Sequence, residues 1–301
     1  MNTDQALRSV VALRSSIPDD AFTADILGTV REGSGVVIRE DGLVLTIGYL
    51  ITEAESVWLT KHDRQLIPAH ALAYDQETGF GLVQALGRLD LPPLPFGDAL
   101  GANLGDPVVL ADGRGQHVQA KLVAKQEFAG YWEYLVDQAL FTAPAHPFWG
   151  GAALIGADGK LLGIGSLRLQ MSQGSTVEDI NMVVPINLLV PILDELIARG
   201  RPSKPPRPWL GAYAAESNGE VIVMSVAEKG PAAKAGLRPG DVISDVRNEE
   251  IAGLADFYRK VWQSGPAGTE LPLRVVRQGR ETWLRIKSAD RNSYLKRPQL
   301  Q

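Results

Sequence analysis

The chain has 301 residues, 45% of them apolar, with 30 basic and 35 acidic side chains, a net charge of −5 and no cysteine. That length holds one large domain or two ordinary ones, and the apolar share is ample for packed cores. The missing cysteine excludes disulfides, thiolate metal sites and cysteine nucleophiles.

Glycine (31) and proline (19) stand slightly above average, which suits a turn-rich, mainly β chain better than a helical bundle. The opening MNTDQALRS lacks the basic and apolar regions of a signal peptide, and no uncharged apolar run approaches the roughly 18 residues of a membrane helix. Read as a full-length product the chain is expected in the cytoplasm; with a leader removed it would be an exported, periplasmic protein. Charge is uneven, with 13 basic and 24 acidic residues over 1–200 but 17 and 11 over 201–301. The basic side chains are scattered without aromatic interleaving, so the expectation is a solvated surface that attracts anionic peptide, not nucleic acid.

In chain order, SVVALR (9–14) reads as an opening strand, followed by a polar, poorly patterned loop. In GSGVVIREDGLVLTIGYLI (33–51), two strands at 36–38 and 43–45 flank Glu40-Asp41-Gly42, whose glycine supplies the positive φ of a hairpin turn. Strands follow at 56–60 and 65–67, then YDQETGFGLV (74–83). A Pro- and Gly-rich link (91–106) turns into a strand at 107–110, and further strands fit 118–126 and 134–138. Residues 144–165, PAHPFWGGAALIGADGKLLGIG, combine a glycine-bearing turn, a strand (152–155), a hairpin turn at Ala157-Asp158-Gly159 and a second strand (161–164). Leu189, Ile192, Leu193 and Leu196 keep a helical period that Gly200 ends. RPSKPPRP (201–208) is a semi-rigid linker. Beyond it, strands at 221–223, 271–276 and 282–286, a turn-helix motif GPAAKAGLRPGDVI (230–243) and a helix at 256–262 precede a polar tail at 289–301.

These motifs resemble HtrA/DegP-type serine proteases over residues 28–287. Residues 33–46 resemble the family segment G-S-G-[FV]-[IV]-I-x-x-D-G-x-[IV]-[LV]-T, residues 75–83 its D-x-x-x-D-L-A-[LV]-[LV], and residues 147–154 its P-G-N-S-G-G-[PA]-L turn. Residues 230–243 resemble the same family's PDZ domain. The resemblance implies a mainly β fold: an N-terminal strand and loop (1–27), a trypsin-like double β-barrel with a closing helix (28–200), the linker (201–208), a PDZ domain (209–288) and the tail (289–301).

The resemblance also shows what is missing. Tyr49 stands where the family has its general-base histidine and Gly79 where an aspartate orients it. The serine position falls on Gly150, or on Trp149 if the two Gly-Gly pairs are matched instead. Peptide hydrolysis on this fold needs a nucleophilic hydroxyl, an imidazole to carry its proton and a carboxylate to fix the imidazole. A phenol with a pKa of about 10 is a poor base at neutral pH, and glycine supplies nothing. Phe148 replaces a glycine whose amide helps form the oxyanion hole in the family. With small residues at 79 and 150 and aromatics at 49, 148 and 149, the expectation is that the aromatics fill the former cleft.

The remaining polar features read plainly. His62, His70, His117 and His146 lack metal-ligand spacing. His146 is the one histidine near the turn and a candidate relocated base, but no serine lies beside it there. Glycine clusters at 97–105 and 113–115 lack the G-K-[ST] of a phosphate loop, so no cofactor is expected. In the PDZ part the resemblance places a terminal-carboxylate loop at Trp209-Leu210-Gly211-Ala212, with Phe257 and Val261 as an apolar wall carried over by helix position, and with Arg207 as a nearby positive charge. The expected function is that of a triad-deficient pseudoprotease binding polypeptide C-termini or unfolded segments, as an adaptor, regulator or holdase in protein quality control. Two rivals stay open: an active endopeptidase with an unconventional nucleophile, and a small-molecule or metal sensor in the remodelled cleft. Relatives of this type commonly form trimers, which implies a homo-oligomer.

Overall fold

The computed structural model describes residues 3–173 and 176–296. They fall into two compact units, one of residues 3–126, 138–173, 176–203 and 296, the other of residues 127–137 and 204–295.

The first unit is built on two closed six-stranded antiparallel barrels. Strands β1 (Val10–Ser16), β2 (Val30–Val37), β3 (Leu43–Ile47), β4 (Ser56–Thr60), β5 (Leu66–Tyr74) and β6 (Phe80–Ala85) close in the order β1-β2-β3-β6-β5-β4. Strands β7 (Pro107–Ala111), β8 (His117–Gly130), β9 (Tyr134–Ala143), β10 (Ala153–Gly156), β11 (Leu161–Gln173) and β12 (Thr176–Pro185) close in the order β10-β11-β12-β9-β8-β7. Closure removes exposed sheet edges. The hairpin turns sit where the glycines require them: Gly42 between β2 and β3 has φ +85°, and Gly159 between β10 and β11 has φ +76°. Strand β3 is buried along its whole length and carries Tyr49 at its exit.

Three details differ from the sequence reading. Short helices α1 (Thr3–Leu7) and α2 (Ala24–Leu27) flank the opening strand. The closing helix is shorter than its period implied, because Pro191 disfavours helical backbone at Val190 and delays the start; α3 spans only Leu193–Arg199. Gly200 does cap it, at φ +72°, its amide donating to the Leu196 carbonyl. Strands β8 and β9 also run further than expected, so that residues 127–137 leave the barrel-bearing unit and belong to the second one.

The second unit is a sheet of β13 (Ala212–Ser217), β14 (Glu220–Val226), β15 (Val242–Val246), β16 (Glu249–Glu250), β17 (Glu270–Arg277) and β18 (Arg280–Lys287). Its order is β13-β14-β15-β17-β18, with β16 on β15. Helices α4 (Pro231–Lys234) and α5 (Leu254–Gln263) join it, and Leu210, Phe257, Tyr258, Val261, Leu271 and Leu273 form part of its buried core. The turn into β15 is pinned by Asp241, almost wholly buried, which accepts two hydrogen bonds at 2.7 Å from the Arg277 guanidinium. Burial alone would raise the Asp241 carboxyl; Arg277 and the Arg238 amide outweigh it and hold it below the usual range. The tail is not wholly free of structure. Ala289 exchanges backbone hydrogen bonds with Trp209 at 2.9 and 3.0 Å, and Tyr294 packs on the Trp209 indole at 4.9 Å. Residues 297–301 of the expected tail lie outside the described residues.

Candidate functional site

The three positions read as a degenerate triad come together where the two barrels meet. Tyr49 lies in a one-turn 3₁₀ helix (Gly48–Leu50) at the end of β3, and the Gly48 amide donates to the Gly79 carbonyl at 2.7 Å. Gly79 has φ +81°, a conformation glycine adopts freely and an aspartate would adopt at a cost. Its turn is fastened by Asp75, whose carboxylate accepts from the Thr78 amide (2.9 Å) and hydroxyl (2.7 Å). Across the interface, a Cβ at Gly150 would stand 2.9 Å from the Tyr49 hydroxyl. Gly150 therefore has room for no side chain while Tyr49 stays where it is.

Tyr49 is held at both ends. Its hydroxyl donates to the Ser166 carbonyl at 2.9 Å, and its own carbonyl accepts from the buried Arg31 guanidinium at 2.7 Å. Arg31 also donates to the Thr52 carbonyl (3.0 Å) and the Thr23 hydroxyl (2.8 Å), and Glu53 accepts from the Thr23 amide (2.7 Å) and hydroxyl (2.6 Å). Burial pulls the Arg31 pKa down to about 10, against the opposing charge of Glu53. Burial pushes the Tyr49 phenol well above its ordinary range, with a hydrogen bond to the Trp149 side chain acting the other way. A phenol shifted that way carries its proton at every physiological pH, so it is a hydrogen-bond donor here and no base.

The turn before β10 uses its donors internally. The Phe148 amide donates to His146 Nδ1 at 2.9 Å. The Gly150 carbonyl accepts from the Ser34 amide at 2.8 Å, and a Cβ on Gly151 (φ +76°) would fall 1.9 Å from the Ser34 carbonyl oxygen. The turn is thus locked against β2. His146 is fully buried, and its amide donates to Asn181 Oδ1 (2.6 Å). Desolvation lowers its pKa, with the Asp112 charge opposing.

The cleft is only partly filled, which corrects one expectation. Phe148 does not pack into it; its ring is 41% exposed and lies against the Arg114 guanidinium at 4.6 Å. A cleft of about 220 Å³ remains, lined in part by Tyr49, Leu50, Asp112, Phe148, Trp149 and Gly150. Tyr49, Trp149 and Phe148 all line it without closing it.

The second candidate site is the loop before β13. Leu210, Gly211 and Ala212 present three successive amides, and Gly211 has φ +72°. Trp209 is 3% exposed and paired with Ala289 and Tyr294, so it braces the loop rather than lining a groove. Phe257 and Val261 are likewise in the core and not open walls, and Arg207 stacks over Trp262 at 4.4 Å. The residues that meet the loop were not legible in sequence. Glu133, in the segment between β8 and β9, is buried, and its carboxylate accepts from all three amides: Leu210 (3.0 Å), Gly211 (2.7 Å) and Ala212 (3.0 Å). Burial pushes the Glu133 carboxyl up to about 7 in spite of these bonds. From α5, the Tyr258 hydroxyl donates to the Gly130 carbonyl (2.8 Å) and accepts from the Glu133 amide (3.3 Å).

Comparison with known proteins accords with both halves. Residues 33–164 match the trypsin-like peptidase domain, and residues 208–287 match the PDZ domain. A probable periplasmic serine endoprotease DegP-like from Pseudomonas fulva is 28% identical over 290 residues, covering 90% of this chain and 59% of that protein. The serine protease Do-like HtrA of Bacillus subtilis is 24% identical, covering 85% and 63%. The serine endoprotease DegS of Haemophilus influenzae is 26% identical, covering 82% and 74%. The chain thus spans about six tenths of the first two relatives. Among solved structures, the HtrA-type protease AlgW with a decapeptide superposes with a TM-score of 0.57 at 21% identity, covering 99% of this chain and 100% of that one. The serine endoprotease from Yersinia pestis gives 0.54 at 23%, covering 96% and 98%.

Proposed function

We propose that this chain, which has the HtrA/DegP-type arrangement of a trypsin-like peptidase domain followed by a PDZ domain, does not hydrolyse peptide bonds and acts as a polypeptide-binding pseudoprotease. The observation that carries this reading is the set Tyr49, Gly79 and Gly150. The three lie together, offer no imidazole, carboxylate or nucleophilic hydroxyl, and leave no room at Gly150 for a side chain beside the Tyr49 hydroxyl. Loss of a complete triad costs about 10⁶ in turnover in well-studied serine proteases, and what survives comes from binding and the oxyanion hole. Here the Phe148 amide is already engaged by His146. Binding is then the activity left to the fold, and the amide-rich loop at 210–212 is its best-equipped place. A protein of the same fold has been solved with a decapeptide, which is in keeping with a peptide ligand. The role that follows is that of an adaptor or holdase for polypeptide C-termini or unfolded segments.

The test is hydrolysis of a fluorescently labelled unfolded protein by the purified chain, beside a Tyr49→His/Gly79→Asp/Gly150→Ser variant. No turnover by the unaltered chain, together with retention of the labelled protein on it, is the expected result. Cleavage that tracks the chain through purification and ends when it is unfolded would refute the proposal.

A further inference from the structure

The loop at 210–212 is occupied from within the same unit. Glu133 places a carboxylate on three successive amides, and two residues earlier the Tyr131 carbonyl accepts from the Ala214 amide at 3.1 Å, on the free edge of β13. An extended peptide that adds to this edge with its terminal carboxylate in the loop would offer the same two kinds of acceptor, a carboxylate to the loop amides and, two residues earlier, a carbonyl to the strand edge. Residues 131–133 therefore imitate a peptide C-terminus, with the Glu133 side chain in place of the α-carboxylate.

Several contacts hold the imitation in place. Tyr258 bonds the Gly130 carbonyl and the Glu133 amide, while Ala129 and Leu135 pack against the apolar core of the unit. Arg259 pairs with both Glu127 and Asp137 at the base of the tip. Glu133 itself has φ +58°, a backbone conformation that side-chain-bearing residues avoid unless their surroundings impose it. A buried carboxylate in strained backbone is an expensive way to build an ordinary loop, and here it satisfies three amides that a free groove would present to a ligand.

Resting on the peptide-binding reading above, we propose that Glu133 is a resident ligand of this groove, and that a peptide with a free C-terminal carboxylate enters only by displacing the 131–133 tip. A tethered competitor acts at a high effective concentration, so the apparent affinity of an external peptide falls by the fraction of molecules in which the tip is out. The groove then responds to abundant or tightly binding C-termini and ignores weak ones.

The test compares the full chain with a Glu133→Ala variant on two readouts. Hydrogen exchange of the Leu210, Gly211 and Ala212 amides reports occupancy without any added ligand. Fluorescence anisotropy with a mixed-sequence decapeptide pool, as free acid and as C-terminal amide, reports binding. The variant should lose protection at all three amides and bind the free-acid pool at least tenfold more tightly than the unaltered chain, with no gain for the amide. Tyr258→Phe, which keeps the ring and removes the hydroxyl that braces the tip, should shift both readouts the same way and guards against misfolding of the alanine variant. Equal protection, or equal affinity of all proteins for the free acid, would overturn the inference. Loss of protection with no peptide bound by any of them would leave Glu133 as the occupant, refute displacement, and remove the peptide-binding reading of the groove as well.

Discussion

Restoring a hydroxyl at position 150 should be costly, and the structure says which atom makes it so. A Cβ built on Gly150 meets the Tyr49 hydroxyl at 2.9 Å, but the next ring atom, Cζ, at an ordinary 3.8 Å. Gly150→Ser alone must push the phenol aside and weaken its 2.9 Å bond to the Ser166 carbonyl, an overpacking cost of ~1–3 kcal/mol. Tyr49→Phe deletes only the offending oxygen, with its bonds to the Ser166 carbonyl and the Trp149 side chain, ~1–2 kcal/mol. The double variant has no clash left to pay for, so it should be little worse than Tyr49→Phe. The cycle thus predicts a favourable coupling of about the Gly150→Ser cost itself, ~1–3 kcal/mol, between the two substitutions. Hydrogen exchange of the β10 and β11 amides measures it on the barrel-bearing unit without assuming that the whole chain unfolds in one step. Strict additivity would mean that positions 49 and 150 do not touch, and the convergence of the three triad positions would fail with it.

Other consequences follow from buried charge. Desolvation holds His146 below its ordinary pKa, so the unfolded chain binds the proton more readily: the stabilisation is present above about pH 6.5 and is lost as pH falls below it. Barrel stability should decline between pH 7 and 5, and His146→Asn, which keeps an acceptor for the Phe148 amide, should flatten that slope. Arg31→Met leaves the Tyr49 and Thr52 carbonyls without their guanidinium donor in a buried site and should cost ~1–3 kcal/mol by the same exchange measurement, whereas no measurable effect would mean those carbonyls are solvated. Glu133 has the opposite sign: its carboxyl, raised to about 7 by burial against the opposing loop amides and Arg291 charge, with Tyr213 and Tyr258 also facing it, favours the docked tip below its undocked pKa and loses that preference as pH rises through about 7. Protection of the 210–212 amides, corrected for intrinsic exchange, should fall between pH 5.5 and 8.

The barrels were legible because their strands announce themselves: Gly42 and Gly159 mark hairpins by the φ they must adopt, and the intervening runs are apolar throughout. The helix after β12 was legible in kind but not in length, since periodicity through Leu189 masked the restriction that Pro191 imposes on Val190. Phe148 misled because an aromatic residue beside lost polar ones suggests filling, whereas Arg114, 34 residues earlier, draws its ring outward. Glu133 was invisible for a stronger reason. Its three partners are 77 to 79 residues away, and a lone glutamate between two strands carries no local pattern that distinguishes a surface charge from a buried ligand. The one faint sign was the cluster Tyr131, Trp132 and Tyr134 around it, unusual for an exposed hairpin end.

The central claim is that no side chain of this protein serves as a peptidase nucleophile. A fluorophosphonate probe, which phosphonylates activated serine hydroxyls with loss of fluoride, tests it directly when followed by peptide mass spectrometry of the labelled chain, with the Tyr49→His/Gly79→Asp/Gly150→Ser variant alongside. The account predicts no stoichiometric adduct on the unaltered chain at any serine. An adduct formed on one serine of the folded chain, abolished by unfolding it, would contradict the account and identify the nucleophile.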